Sequence, residues 1–237
     1  MKKKKKIYEG KSKKIYTLDD SDQLIQEFKD DSVVFEGKKS ETIKGKGIIN
    51  KDISSYIFEY LEGFHIPTHF IKDAGGREML IKRLEMIPAE IVMHNIAAGN
   101  LCERYGIEGG KELNFPILEF YLKNNEHNDP MINQTHLIAF QLATQDEVRI
   151  IERLTSKINA VLKSFFLRRN LNLVDFKLEF GRYKNKILLG DEVSLDTIRL
   201  SNISSETEPD KINFHLIPTA NELAYEEIKK RIFQSNS

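Results

Sequence analysis

Leu173-Val-Asp-Phe-Lys-Leu-Glu-Phe-Gly-Arg-Tyr-Lys-Asn-Lys-Ile-Leu-Leu-Gly-Asp-Glu-Val193 is the stretch on which the reading of this chain turns. Val174, Phe176, Leu178 and Phe180 alternate with Asp175, Lys177 and Glu179. A period of two puts the apolar set on one face of a strand and the charged set on the other. Residues 181–186 read as a turn and 187–193 as a returning strand. In such a hairpin Asp191 falls beside Glu179, since cross-strand Cβ atoms lie roughly 5 Å apart. One face then carries Asp175, Lys177, Glu179 and Asp191. Charged strand faces are ordinarily just solvated. Two carboxylates bracketing a lysine also suit Mg²⁺ held with a nucleotide phosphate, because that ion takes one or two carboxylates together with phosphate oxygens and water. Both readings stand at this point.

Upstream of the hairpin, Thr144 and Glu147 form a candidate capping box. Val148, Ile151, Leu154, Ile158, Val161, Leu162 and Phe165 then give the apolar stripe of a long helix. Before it come a strand at 90–95, a small-residue turn at Ala97-Ala-Gly99, an apolar strand at 115–123 and a polar loop at 124–133. Downstream, Asp196 and Arg199 precede a polar stretch, and a helix at 221–233 turns Leu223, Ile228 and Ile232 inward. The N-terminal part reads as strands at 24–28, 32–35, 70–71 and 79–86, with a loop at 38–47 and a helix at 50–61. Pro88 is expected to end the last of these strands. His65 and His69 have metal-ligand spacing, but Pro67 between them argues against a helix, so no metal is assigned there.

Two features of this N-terminal part bear on chemistry. Gly10-Lys11-Ser12-Lys13 sits in a strand–turn–strand and matches neither a Walker A loop nor G-x-G-x-x-G. It is either a solvated basic hairpin or a lid of backbone N–H groups and ammonium groups over phosphates. Lys82 lies inside an apolar strand and needs a partner, for which a nucleotide phosphate is one candidate. The element order predicts an α+β fold of two lobes. Residues 1–86 form an antiparallel sheet with a helix, residues 87–237 a second lobe, and phosphate-seeking groups on each imply a nucleotide between them.

Composition excludes several classes. The chain has 237 residues with 36 Lys plus Arg and 36 Asp plus Glu, so no bulk charge favours nucleic acid or an anionic membrane. No stretch approaches the ~18 apolar residues of a membrane span. No apolar run follows Lys2 to Lys6, so that basic run reads as a solvated tail and not a signal peptide. Cys102 is the only cysteine, which rules out an intrachain disulfide and fits a reducing, cytoplasmic setting.

Tyr8-Glu-Gly-Lys-Ser-Lys13, Gly45-Lys-Gly47 with Asn50, Asn95-Ile-Ala-Ala-Gly99, Asp129-Pro-Met131, Val174-Asp-Phe-Lys-Leu-Glu-Phe-Gly181 and Gly190-Asp-Glu192 occur in order across nearly the whole chain. In these motifs the sequence resembles the phosphoribosylaminoimidazole-succinocarboxamide synthase (SAICAR synthetase) family. The resemblance implies a two-lobed fold related to ATP-grasp enzymes. It implies an ATP- and Mg²⁺-dependent ligation of L-aspartate to the carboxylate of a carboxylated aminoimidazole ribonucleotide, in purine biosynthesis, by a homo-oligomer, with a dimer the first expectation. By the same resemblance Gly10, Lys11, Ser12, Lys13 and Lys82 meet the ATP phosphates, and the backbone around Glu85 and Met86 meets adenine. Glu179 and Asp191 hold Mg²⁺. Asp175, Lys177, Asp196 and Arg199 face the imidazole nucleotide, with His94, Asn100, Lys123 and Asp129 on the substrate side. Lys177, Asp175 and Lys82 are the catalytic candidates.

The chain departs from the family pattern on the nucleotide-monophosphate side. His94 stands where the family usually has Arg, Asn100 where it has Ser, and Glu103 where it often has Lys; His215 replaces an Arg near the C-terminus. The ATP and metal motifs are intact. Two alternatives follow: the same chemistry on a different carboxylate, or a nucleotide-binding protein that has lost ligation.

Overall fold

A computed structural model describes residues 2–31, 42–203 and 222–234. The expected strand at 32–35, part of the loop at 38–47, and His215 lie outside these residues. The chain divides into two compact units: Met1–Glu85 with Gly181–Asp196 and Pro218–Phe233, and Met86–Phe180 with Thr197–Ile217 and Gln234–Ser237. The end of the hairpin and the C-terminal helix return to the first unit.

The first unit holds an antiparallel sheet of β1 (Lys6–Glu9), β2 (Lys13–Thr17), β3 (Gln23–Phe28), β4 (Phe70–Gly75) and β5 (Glu78–Lys82), in the order β1-β2-β3-β5-β4. Gly75 and Gly76, both at positive φ, close the β4–β5 turn. Helix α1 (Lys46–Gly63) buries Ile53, Ile57, Phe58 and Leu61. It starts a turn earlier than its apolar stripe indicated. Gly45 enters it at φ 82, and the Gly47 N–H donates to Asp30 Oδ1 at 2.8 Å. Gly47 is required by space: a Cβ there would lie 2.9 Å from the Phe28 carbonyl oxygen. Helix α5 (Glu222–Phe233) buries Tyr225, Ile228 and Ile232, and the Phe233 ring centroid lies 4.9 Å from that of Tyr56 on α1. Leu223, expected inward, is 81% exposed, and Tyr225 takes its place because the buried stripe runs 225, 228, 232.

The second unit is a sheet in the order β9-β6-β7-β8, formed by β6 (Glu85–Ile96), β7 (Glu112–Leu122), β8 (Met131–Ile132) and β9 (Leu171–Tyr183). β11 (Ile198–Asn202) pairs antiparallel with β9, Arg199 opposite Asp175. Pro88 does not end a strand: β6 runs through it, because the Pro88 carbonyl still accepts the Lys123 N–H at 3.0 Å. The break falls instead at residues 83–84, between β5 and β6. Helix α4 (Gln145–Leu167) starts at the expected capping box, and the Asn95 and Asn159 amides exchange bonds of 2.8 and 2.9 Å between β6 and α4. Helices α2 (Asn100–Tyr105) and α3 (Gln134–Ala139), the latter capped by Asn133, were not anticipated as helices.

The decisive hairpin differs in register from its reading. β9 continues to Tyr183, and the turn is the two residues Lys184 and Asn185, at φ 48 and 62. The return strand β10 (Lys186–Leu189) ends four residues short of expectation. Leu189 bonds instead across to Pro67 and His69. Asp191 thus lies in a loop at φ 60, not on a strand beside Glu179.

Candidate active site

In the first unit the Gly10–Lys13 turn is held on two sides. The Gly10 N–H donates to the Lys13 carbonyl at 2.9 Å, and the Lys29 N–H to the Ser12 carbonyl at 2.7 Å. Ser12 Oγ donates to Glu192 Oε1 at 2.8 Å. The Lys13 ammonium pairs with Asp191 and, at 3.2 Å, with Glu192. Lys11 is exposed. The Asp191 backbone carbonyl accepts from the Gln26 side chain at 3.1 Å. By strand register Gln26 shares a sheet face with Ile15, Lys13, Leu24, Met79 and Ile81.

Lys82 alternates to the opposite face. Its ammonium donates to the Thr68 carbonyl at 2.9 Å and borders a cleft of about 440 Å³ lined also by His65, Tyr183, Lys184 and Lys186. Glu85, with Arg83 and Arg182, lines a neighbouring cleft of about 420 Å³; Met86 is exposed. His69 is wholly buried, its ring edge-on to Phe58 at 5.0 Å, with neither ring nitrogen hydrogen-bonded. Burial, reinforced by the Lys13 and Lys82 charges, pushes its pKa down to about 3, so the imidazole is neutral. Asp196 lies in the turn ahead of β11. It pairs with the buried Lys46 at 2.8 Å and accepts from Tyr225 at 2.9 Å, tying α1 to α5. Burial and the nearby Glu192 push its carboxyl up, against Lys46 and Tyr225.

In the second unit β6, β7, β9, β11 and α2 build a row of alternating charge. Arg104 on α2 donates to both Glu119 oxygens, at 2.8 and 2.7 Å. Glu119 also accepts from Tyr121 at 2.7 Å and faces His94 Nε2 at 3.2 Å. His94 Nδ1 lies 3.5 Å from Asp175, an ion-pair distance but not a hydrogen bond. Arg199 grips Asp175 with a fork, its Nε at 2.7 Å from Oδ1 and its Nη2 on Oδ2. Burial pushes the Glu119 carboxyl up, but His94, Arg104 and Tyr121 outweigh it and bring it down to about 2. For Asp175 burial likewise acts upward, and His94 and Arg199 turn the balance downward. Gly99, at φ 53, lets the Arg199 guanidinium lie on the backbone: a Cβ there would sit 2.5 Å from Nη1.

Further along the same sheet, exposed Lys177 pairs with Glu90 at 3.1 Å and Lys123 with Glu179 at 2.5 Å. Asp129 accepts the Asn124 N–H at 2.6 Å, which closes its loop. Exposed Asn100 opens α2, its carbonyl accepting from Arg104 at 3.2 Å. Among the described residues no group of three or more His, Cys, Asp or Glu gathers for a metal. The structure thus brings Asp175, Arg199 and His94 together, and Lys13 with Asp191. Sequence reasoning missed Glu119, Arg104 and Tyr121 in the second unit, and Gln26 and the ion-pairing of Glu192 beside the glycine turn in the first.

The SAICAR synthetase family model matches residues 6–232. The synthase of Chloroherpeton thalassium is 48% identical over 232 residues, covering 98% of this chain and 99% of its own. The chain belongs to the SAICAR synthetase family. Its structure agrees: the crystal structure of the family's synthase from Ehrlichia chaffeensis superposes with a TM-score of 0.89 at 38% identity, covering 96% of this chain and 98% of the other. A SAICAR synthetase solved in complex with ADP gives 0.87 at 40% identity, with 95% and 97% covered. The chain is accordingly an ATP-dependent ligase of purine biosynthesis with the SAICAR synthetase fold of two antiparallel sheets. For a SAICAR synthetase, the row from Arg104 to Arg199 is the group of charges that composition could not reveal, because it is assembled from five separate elements.

Proposed function

We propose that the Gly10–Lys13 turn and Asp191 serve the ATP phosphates, and that Asp175, Arg199 and His94 serve the imidazole nucleotide, in the ligation of L-aspartate. The observation that carries the reading is the Lys13 ammonium held between Asp191 and Glu192 at the glycine turn. A cation fixed in this way meets phosphate without first losing rotamer freedom. In the reaction a carboxylate oxygen of the nucleotide attacks the γ-phosphorus, the bond to the ADP oxygen breaks, and an acyl phosphate forms. The aspartate amine then attacks the acyl carbon, phosphate leaves with the C–O bond electrons, and the nitrogen gives up its surplus protons. Lys13 offsets charge on the migrating phosphoryl group, and Lys177, exposed on β9, does so from the substrate side. Asp175 orients Arg199 through the fork. Lys82, whose ammonium meets the Thr68 carbonyl at the border of the 440 Å³ cleft, adds its charge to the phosphates in the same reading.

Glu179 and Asp191 are the proposed Mg²⁺ ligands. Both are carboxylates, the hard oxygen donors this ion takes together with phosphate oxygens and water, and each is ion-paired here, with Lys123 and Lys13 respectively. When bound, Mg²⁺ supplies positive charge to the phosphate oxygens. The chain is assigned to the cytoplasm and to a homodimer, the first to be checked by fractionation and the second by light scattering. The reading as a whole is tested by phosphate release with ATP, L-aspartate and the carboxylated imidazole nucleotide, omitting each in turn. Release is expected only with all three. Release without the nucleotide, or with another carboxylate at equal rate, rejects it.

A further inference from the structure

We propose that His94 is a positioning residue which, by carrying a proton between Asp175 and Glu119, sets how much of the Arg104 and Arg199 charge is left for an anionic substrate. The inference rests on the reading that Asp175 and Arg199 meet the imidazole nucleotide. The row reads Arg104, Glu119, His94, Asp175, Arg199, five groups of alternating sign. Its three inner side chains are each 6% exposed, whereas the arginine side chains at its two ends are 29% and 30% exposed. Only the ends are open to a ligand. The groups that bear on His94 are Glu119 and Tyr121 from β7, Asp175 from β9, and, through the two carboxylates, Arg104 from α2 and Arg199 from β11.

With the imidazolium in place, two carboxylates share three cations, and one unit of positive charge is in excess. Without that proton the charges balance, and each buried carboxylate is left with one cation of this row, its own arginine. The guanidiniums are then occupied inward. Burial alone would drive the proton off His94. The two carboxylates outweigh burial and hold its pKa above the ordinary histidine value. Coupling is reciprocal: a proton that favours the nucleotide must itself be favoured by the nucleotide. Arginine at this position would give a permanent charge. Histidine makes the charge conditional on pH near neutrality.

The test compares the wild type with His94→Gln, which keeps hydrogen-bonding capacity and cannot carry the proton. KM for the imidazole nucleotide and for ATP is measured from pH 6 to 9, and the His94 Cε1–H resonance is titrated in the wild type with and without nucleotide. The wild-type nucleotide KM should rise roughly five- to tenfold across the range, as expected for losing one nearby charge. That of His94→Gln should be high and flat, while KM for ATP follows the same course in both proteins. The substrate phosphate titrates identically in both and cancels from the comparison. The His94 midpoint should move up when nucleotide binds. Parallel nucleotide profiles overturn the proposal, as does a midpoint unmoved by nucleotide, which is decisive even if His94→Gln does not fold. Arg199→Ala separates the two levels. If it leaves the nucleotide KM unchanged, the underlying reading falls and the proposal with it. If it raises that KM while the wild-type and His94→Gln profiles stay parallel, the proposal alone falls.

Discussion

At the scale of the residue, Lys13 and Asp191 are the sharpest points of attack. Lys13 combines a place at the glycine turn with two carboxylate partners, so Lys13→Ala removes a fixed cation from the proposed phosphate site. The expected result is a loss of kcat/KM for ATP of about 100-fold or more, the scale seen when one charge-stabilising group is deleted. Steady-state kinetics check this; unchanged constants would leave the loop a solvated basic hairpin. Asp191→Asn keeps size and shape but removes charge. It should raise the Mg²⁺ concentration needed for half-maximal rate about tenfold or more, taking one carboxylate of two as the loss. Wild-type turnover at limiting Mg²⁺ would show that this side chain does not hold the ion.

At the scale of the element, the C-terminal helix offers a contrast within three residues. Tyr225 is buried and donates to Asp196, whereas Leu223 stands in solvent. Tyr225→Ala should cost about 3 kcal/mol, from lost burial and the loss of the donor to Asp196 Oδ1, while Lys46 keeps the other oxygen. Leu223→Ser should change stability by less than about 0.5 kcal/mol. Urea denaturation distinguishes them, and equal losses would mean that α5 is rotated from its described position. The pair also shows what was legible. Strand alternation in β9 and the capping box of α4 were legible because both are local periodicities. The inward face of α5 was not, since apolar residues occur on both sides of that short helix. The extent of β6 was misread at Pro88, where a missing N–H matters only if the ladder uses it. The fold class and the charged residues of β9 could thus be read directly. Glu119 and Arg104 could not, because nothing in a single sequence links a mid-strand glutamate to an arginine fifteen residues away.

At the scale of the whole molecule, two titrating histidines act on opposite sides of neutrality. His69 has its folded pKa depressed from 6.5 to about 3, so the unfolded chain takes up the proton first. Its contribution is complete above pH 6.5 and is lost as pH falls from there towards 3, at up to about 1.4 kcal/mol per unit. His94, raised, contributes fully below 6.5 and loses its share as pH rises through its folded pKa. Between pH 6.5 and 5 the His69 term should therefore remove about 2 kcal/mol of stability from the wild type. Urea midpoints of wild type and His69→Gln at the two pH values check this, and equal slopes would show that the imidazole is not held neutral.

The first unit is made of three separated chain segments, whereas Met86–Phe180 is continuous within the second. A ribosome makes the chain from one end only, so α1 is synthesised long before the helix that covers Tyr56 and supplies Tyr225 to Asp196. The continuous segment has its strands β6, β7 and most of β9, with α4 between them, available while synthesis is still under way. Nascent chains stalled before residue 222 should therefore resist protease across 86–180 and remain open to it across 46–63, because domains fold as units once their parts have emerged. Cleavage patterns of arrested chains would show the order, and early protection of α1 would reverse it. The helix Glu222–Phe233 thus acts as a completion signal, and a chain stopped ahead of it would leave the first unit without the tyrosine that meets Asp196.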